Sequence, residues 1–215
     1  MNPLSLILGF LPLIAFSVLA GRVANNGIGW GALVALAIAL INMAVTRPRW
    51  PPKIINLISA GLFLVLTLIG FLGNRSVDGW LFDWASGLVT VTLGLLLLLT
   101  MPIMPFTEQY ARERAPREYW DSPLFKKINR VLSLAWAVAI LIIGLASIAV
   151  AALDERADSA SDTNLLDLLL NWVVPIGILA FMLWLTANYP DRARKAAGAA
   201  EEPQPADPPS PSASA

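Results

Sequence analysis

Six apolar runs follow one another along this chain with short polar segments between most of them, and that pattern leaves few folds open. A helix crosses a hydrocarbon core with about 20 apolar residues, and inside lipid each backbone amide must find its partner within its own segment or a closed barrel. The runs fall at about 4–20, 29–45, 54–72, 80–100, 128–153 and 165–187. The expected fold is all-α, a polytopic membrane domain of six transmembrane helices over residues 1–189. With 57% hydrophobic and 14% charged residues, the chain carries more apolar surface than a soluble core of this length can hide. From Pro190 the composition turns to Ala, Glu, Pro and Ser, and residues 190–215 are expected to be a disordered cytoplasmic tail.

The long polar interruption at 105–130 fixes the orientation. It carries Arg112, Arg114, Arg117, Lys126, Lys127 and Arg130. With six spans, the same side receives Arg47, Arg49, Lys53, Arg192, Arg194 and Lys195, and the other side receives only Arg22, Arg75 and Arg156. Basic residues are retained on the cytoplasmic side, so both termini and the 105–127 loop are expected in the cytoplasm. The first span reads as an uncleaved anchor, because it lacks the basic start of a signal peptide.

Chemistry is limited by what is absent. The chain has no Cys and no His, which removes thiolate nucleophiles, disulfides and the common zinc sets. No catalytic residue, cofactor or metal site is expected, and zero net charge gives no basis for binding nucleic acid. Asp83 is the sharpest intramembrane polar residue, a turn inside the fourth span, where an ionisable group is costly and by default points to function; its position near the outer interface favours contact with water or with Arg75 instead. Asn42, Asn56, Asn129 and Asn171 lie in or at the ends of spans, where each can hydrogen-bond between helices. Gly31, Ala35 and Ala39 recur every four residues on the second span and form a candidate helix-packing face. Pro12 and Pro175 fall inside spans and are expected to kink them.

Within the long loop, Thr107 is positioned to cap a short helix through Ala115, with Glu108 and Arg112 one turn apart, before Pro116 ends it. A short interfacial helix between spans four and five is therefore expected. Phe106, Tyr110, Tyr119, Trp120, Leu124 and Phe125 can anchor it, while Arg112, Arg114, Arg117, Lys126, Lys127 and Arg130 can reach anionic lipid headgroups or a protein partner. Ser122-Pro123 reads as the start of the next helix. Trp30 and Trp84 each precede a Thr-x-Pro by the same interval, and Lys53-Ile54-Ile55-Asn56 is echoed by Lys126-Lys127-Ile128-Asn129, so spans two-three and four-five resemble duplicated hairpins.

In order along the membrane region, the chain resembles the intracellular septation protein A family of bacterial inner-membrane proteins. The resemblance rests on Phe10-Leu11-Pro12-Leu13-Ile14-Ala15-Phe16, Gly31-Ala32-Leu33-Val34, Leu66-Thr67-Leu68, Asp78 and Trp84. It continues through Trp120, Asn129, Leu134-Ala135-Trp136-Ala137 and Gly144-Leu145-Ala146. The chain departs from the family pattern at Asp83-Trp84-Ala85, in a longer interval from Trp120 to Asn129, and in its tail, as a distant member would. The resemblance implies a non-enzymatic inner-membrane protein of septation and cell-envelope biogenesis that works through other membrane proteins, with Trp120 and Asn129 in its shared segment. A small transporter or channel subunit, suggested by Asp83 and the prolines, is the alternative; an enzyme acting on lipid groups would need a paired acidic motif that Glu108, Glu113, Glu118 and Asp121 do not form. A homo-oligomer is open on this reading.

Overall fold

The structure is a computed structural model that describes residues 3–20, 26–46, 52–154 and 168–201. Among these, all regular structure is helical: α1 (Pro3–Leu19), α2 (Gly27–Thr46), α3 (Ile54–Leu72), α4 (Arg75–Thr100), α5 (Phe106–Arg112), a 3-10 turn (Arg117–Tyr119), α6 (Pro123–Asp154), a π-helical turn (Leu169–Val173) and α7 (Val174–Glu201). Among the described residues, four helical stretches are long and apolar enough to cross a membrane: Gly27–Val45, Ile54–Leu72, Ser76–Thr100 and Pro123–Leu153, with a shorter apolar stretch at Ile7–Leu19. Residues 47–51 and 155–167, which include the start of the expected sixth span at 165, lie outside the described residues.

Local chemistry sets the helix ends. Asn26, with φ of 52°, stands in the left-handed region just before α2, which Asn tolerates better than most residues. α3 gives way to α4 across Gly73 and Asn74 alone. A Cβ on Gly73 would sit 2.6 Å from the Ile69 carbonyl oxygen, and Asn74 Oδ1 accepts the Val77 amide at 3.0 Å as the α4 cap. The polar stretch Arg75 to Asp78 is therefore helix, and α4 begins five residues before the apolar run expected from about residue 80. Ser122 Oγ accepts the Phe125 amide at 3.2 Å, and Pro123 occupies the first turn, so α6 starts where the Ser-Pro pair predicts it. The π-helical turn ends just before Pro175, whose missing amide would have served the Asn171 carbonyl.

α7 corrects the expected boundary at Pro190. It runs through that proline to Glu201, although an interior proline costs about 3 kcal/mol. The residues that follow favour helix, being mostly Ala, Arg and Lys. Asp191 pairs with Arg194 at 3.3 Å, and Arg192 lies over the Trp184 ring at 5.1 Å. The tail beyond Glu201 lies outside the described residues.

Small residues bring the helix pairs together. Gly31, Ala35 and Ala39 all face the interior, and Gly31 meets the backbone of Ala20 at the end of α1. α2 and α3 touch backbone to backbone at Gly29 and Gly70, where a Cβ on Gly70 would come within 2.6 Å of the Gly29 Cα. α4 and α6 meet at Gly87, Gly94 and Gly144; a Cβ on Gly144 would stand 2.7 Å from the Val91 amide nitrogen. Lipid offers no hydrophobic drive to associate helices, so such close approach carries the packing.

The residues of the sequence echo hold like positions. Asn56 and Asn129 are each 2% exposed, and the aromatic residue seven places after each, Phe63 and Trp136, packs on α1. Phe63 meets Phe16 with centroids 5.4 Å apart, and Trp136 stacks on Phe10 at 5.1 Å. Trp136 Nε1 also donates to Thr186 Oγ1 at 2.9 Å, which ties α7 to α6.

Gly70→Ala is expected to lower the thermal stability of the detergent-solubilised protein by about 1–3 kcal/mol, because backbone must move. Gly61, with open space around its Cα, is the matched control: Gly61→Ala is expected to be neutral or to stabilise by up to about 1 kcal/mol. Equal effects of the two substitutions would contradict close backbone packing at Gly70.

Candidate functional site

Polar contacts gather one end of the bundle around α5. Asn42 Nδ2 of α2 donates to the Leu8 carbonyl of α1 at 2.9 Å, and the Ile54 amide of α3 donates to Gln109 Oε1 of α5 at 2.8 Å. The α3 amino end has no side-chain cap of its own, since Lys53 supplies none, so Gln109 satisfies an amide that would otherwise be orphaned. Lys53, the loop cations and the α6 start thus share one end, and the Trp136 to Thr186 bond brings the basic end of α7 to it.

α5 is not laid along the surface. Phe106, Thr107 and Tyr110 are fully buried and Glu108 is 4% exposed. Phe106 and Tyr110 join a core of Phe10, Ile55, Leu93, Leu97 and Trp136. The aromatic residues expected to anchor the loop in lipid are drawn inward here, because the mouth between α1, α3, α4 and α6 has room for them and burial of two large rings is favoured. Thr107 is also not the cap: Pro105 precedes the helix, which ends at Arg112 rather than Ala115.

The polar atoms of this inserted helix find partners. Thr107 Oγ1 donates to the Asn129 carbonyl at 2.8 Å, lies 3.5 Å from Asn129 Oδ1, and meets Ser133 Oγ at 2.8 Å. Ser133 Oγ in turn accepts the Thr107 amide at 3.1 Å. Arg112 reaches Glu108 one turn back, with Nε donating to Oε1 at 3.0 Å, and its guanidinium lies 4.9 Å from the Trp120 ring centre. Trp120 Nε1 donates to the Ala115 carbonyl at 2.9 Å, folding the second half of the loop back onto the first. Lys53, only 6% exposed, pairs with Glu113 at 2.8 Å and rests over the Tyr110 ring at 4.0 Å. A buried ammonium needs such company.

Two polar atoms lack a protein partner among the described residues at this end, Tyr110 Oη and Asn56 Oδ1. The Tyr110 hydroxyl points at Gly9, where a Cβ would collide with it. Burial pushes the Tyr110 phenol above its ordinary value of 10.0, and the Glu113 charge adds to the rise. At the exposed rim, a hydrogen bond from Lys126, then its charge, holds the Asp121 carboxyl below the usual carboxylate range.

The candidate residues therefore separate. Tyr110 and Asn129 are buried and form part of the cap's interior, so they offer no docking surface. Arg114, Arg117, Tyr119, Lys126, Lys127 and Arg130 are exposed, and Arg112 and Trp120 are half-buried. Asp83 is exposed on α4 at the opposite end; Arg75 and Asn171 have side chains outside the described residues. Asn42 bonds between helices, whereas Asn129 Nδ2 donates within α6 to the Phe125 carbonyl at 2.9 Å. Lys53, Gln109, Glu113 and Ser133 belong to the cap without having stood out in the sequence. Their signal was faint: a lysine and an acid of opposite charge far apart in sequence, an amide able to close a helix end, and a serine one turn after Asn129. Among the described residues, no group of three or more His, Cys, Asp or Glu can hold a metal ion.

No family model matches the chain, and neither a curated protein nor a solved structure does.

Thr107→Val is expected to cost about 1–3 kcal/mol, since it leaves buried partners unsatisfied, whereas Tyr110→Phe removes only an unpaired hydroxyl and is expected to be neutral or stabilising. Thermal or denaturant unfolding in detergent checks the contrast. In a chain carrying Tyr119→Phe and Tyr189→Phe, the one remaining phenol is Tyr110. Because its native pKa is raised, its contribution to stability is complete below the ordinary tyrosine value and declines as pH rises beyond it. Its absorbance change is expected only with alkaline unfolding; ionisation in the ordinary range would show that the ring is reachable by water.

Proposed function

We propose that the chain is a six-span, non-enzymatic protein of the bacterial inner membrane, with both termini and the α5 cap in the cytoplasm. It acts by contact with other membrane proteins of septation and envelope biogenesis. The observation that carries this is the cap itself. Exposed Arg114, Arg117, Glu118 and Tyr119 stand on a short segment held at both ends, by the buried α5 and by the start of α6. A contact surface of this kind requires a fixed backbone and no reactive group.

Two further spans complete the count of six: α1, which packs through Phe10 and Phe16, and the apolar part of α7. The clustering of basic residues at the α5 end supports the cytoplasmic assignment. The process comes from the resemblance to the intracellular septation protein A family, carried by Trp120, Asn129 and Leu134-Ala135-Trp136-Ala137. Polar residues deep in the bundle favour this over a transporter. Thr67 Oγ1 donates to the Phe63 carbonyl and Thr90 Oγ1 to the Ser86 carbonyl, each within its own helix rather than along a path.

A single cysteine at Glu118 in this Cys-free chain is expected to react with a membrane-impermeant thiol reagent only after the inner membrane is opened, and one at Ser76 without opening it. The reverse pattern would overturn the topology. A photoreactive residue at Tyr119 is expected to cross-link to division or envelope membrane proteins in intact cells. Absence of such products, together with normal septum placement on deletion of the gene, would overturn the functional reading.

A further inference from the structure

The internal pairs of the cap sort its charges. Glu108 is held by Arg112, Glu113 by Lys53 and Asp121 by Lys126. Of the remaining charges between Glu108 and Arg130, Arg114, Arg117, Lys127 and Arg130 are exposed and have no ion pair among the described residues, against the single acid Glu118. Three of the four loop acids are thus taken up in pairs, while four cations stay outward and unpaired among the described residues.

Two of those cations stand at a particular place. Lys127 and Arg130 are one turn apart on α6 and point the same way. Directly below Lys127, at helical spacing, come Val131, Leu134 and Val138, exposed by 36%, 47% and 42%. Lys127 to Val138 spans about 16 Å of helix, close to the roughly 15 Å depth of one leaflet's hydrocarbon. The stripe is apolar and exposed, and among the described residues its two cations have no ion-paired acid.

We infer that this stripe of α6 is a binding site for one anionic phospholipid, with the phosphate held between Lys127 and Arg130 and an acyl chain lying along Val131, Leu134 and Val138. The inference rests on α6 being a membrane span, but not on which side its start faces. Two exposed cations one turn apart at the head of a lipid-facing stripe match a phosphate at the level of the headgroups. Lys126 is excluded from the role by its 2.9 Å bond to Asp121.

The test uses the full chain in phosphatidylcholine bilayers, with spin-labelled phosphatidylglycerol or spin-labelled phosphatidylcholine as the probe of lipid contacting the protein. Phosphatidylglycerol is expected to be selected by at least about fivefold. Lys127→Ala with Arg130→Ala is expected to bring the preference to within about twofold of parity, while Arg192→Ala with Arg194→Ala at the end of α7 leaves it in place. Lys127→Gln with Arg130→Gln keeps the side-chain length and replaces the alanine pair if that variant does not fold. Equal selection of the two lipids by the unchanged protein overturns the inference, whether the cations then meet an acidic segment of a partner or water. So does a preference that survives loss of Lys127 and Arg130, or one that falls equally with Arg192 and Arg194. Because the bilayer is symmetric, these outcomes are independent of the thiol-labelling result that tests the topology.

Discussion

A polar helix inserted into the mouth of an apolar bundle is stable only if its hydrogen-bonding groups are met inside, and α5 shows how that condition is fulfilled. Thr107 uses both its amide and its hydroxyl on α6, through Ser133 and the Asn129 carbonyl. Gln109 closes the amino end of α3, and Lys53 answers both Glu113 and the Tyr110 ring. These contacts join α6 and the start of α3 to the same short segment. The mouth is thereby fixed by polar matching, and the apolar rings of Phe106 and Tyr110 gain their burial as a consequence.

The remainder of the bundle is built on a simpler rule. Helices pair where a side chain is reduced to hydrogen, at Gly29 with Gly70 and at Gly144 with Val91. These contacts make two hairpins, α2 with α3 and α4 with α6, and α1 lies against both through Phe16 and Phe10. α5 enters between α4 and α6, inside the second hairpin, where the sequence echo is broken by additional residues. The insertion thus reads as the element that distinguishes the two hairpins.

Helix type and most helix positions were legible from apolar run length, because the length of a run and the bilayer's demand on its amides point the same way. The Ser122-Pro123 start and the Glu108 to Arg112 pair were legible because they are local. The placement of α5 was not. Phe106, Tyr110, Tyr119 and Trp120 look alike as loop aromatics, and only the shape of the mouth decides that the first two turn inward while Tyr119 stays exposed. Proline was misleading at Pro190, where the helix-forming residues beyond it outweigh the lost bond. The packing glycines were less legible: Gly87 and Gly94 of α4 stand seven residues apart and α6 has Gly144 alone, where Gly31, Ala35 and Ala39 repeat every four residues.

Function, on this account, depends on α5 holding its loop still, so that the exposed residues after it form one surface rather than many. Hydrogen exchange on the full chain in lipid nanodiscs measures this directly. Burial of α5 predicts that the amides from Thr107 to Arg112 exchange as slowly as those of Leu132 to Ile140 in the middle of the bundle. Exchange of the α5 amides as fast as those of the exposed stretch from Arg114 to Asp121 would contradict it.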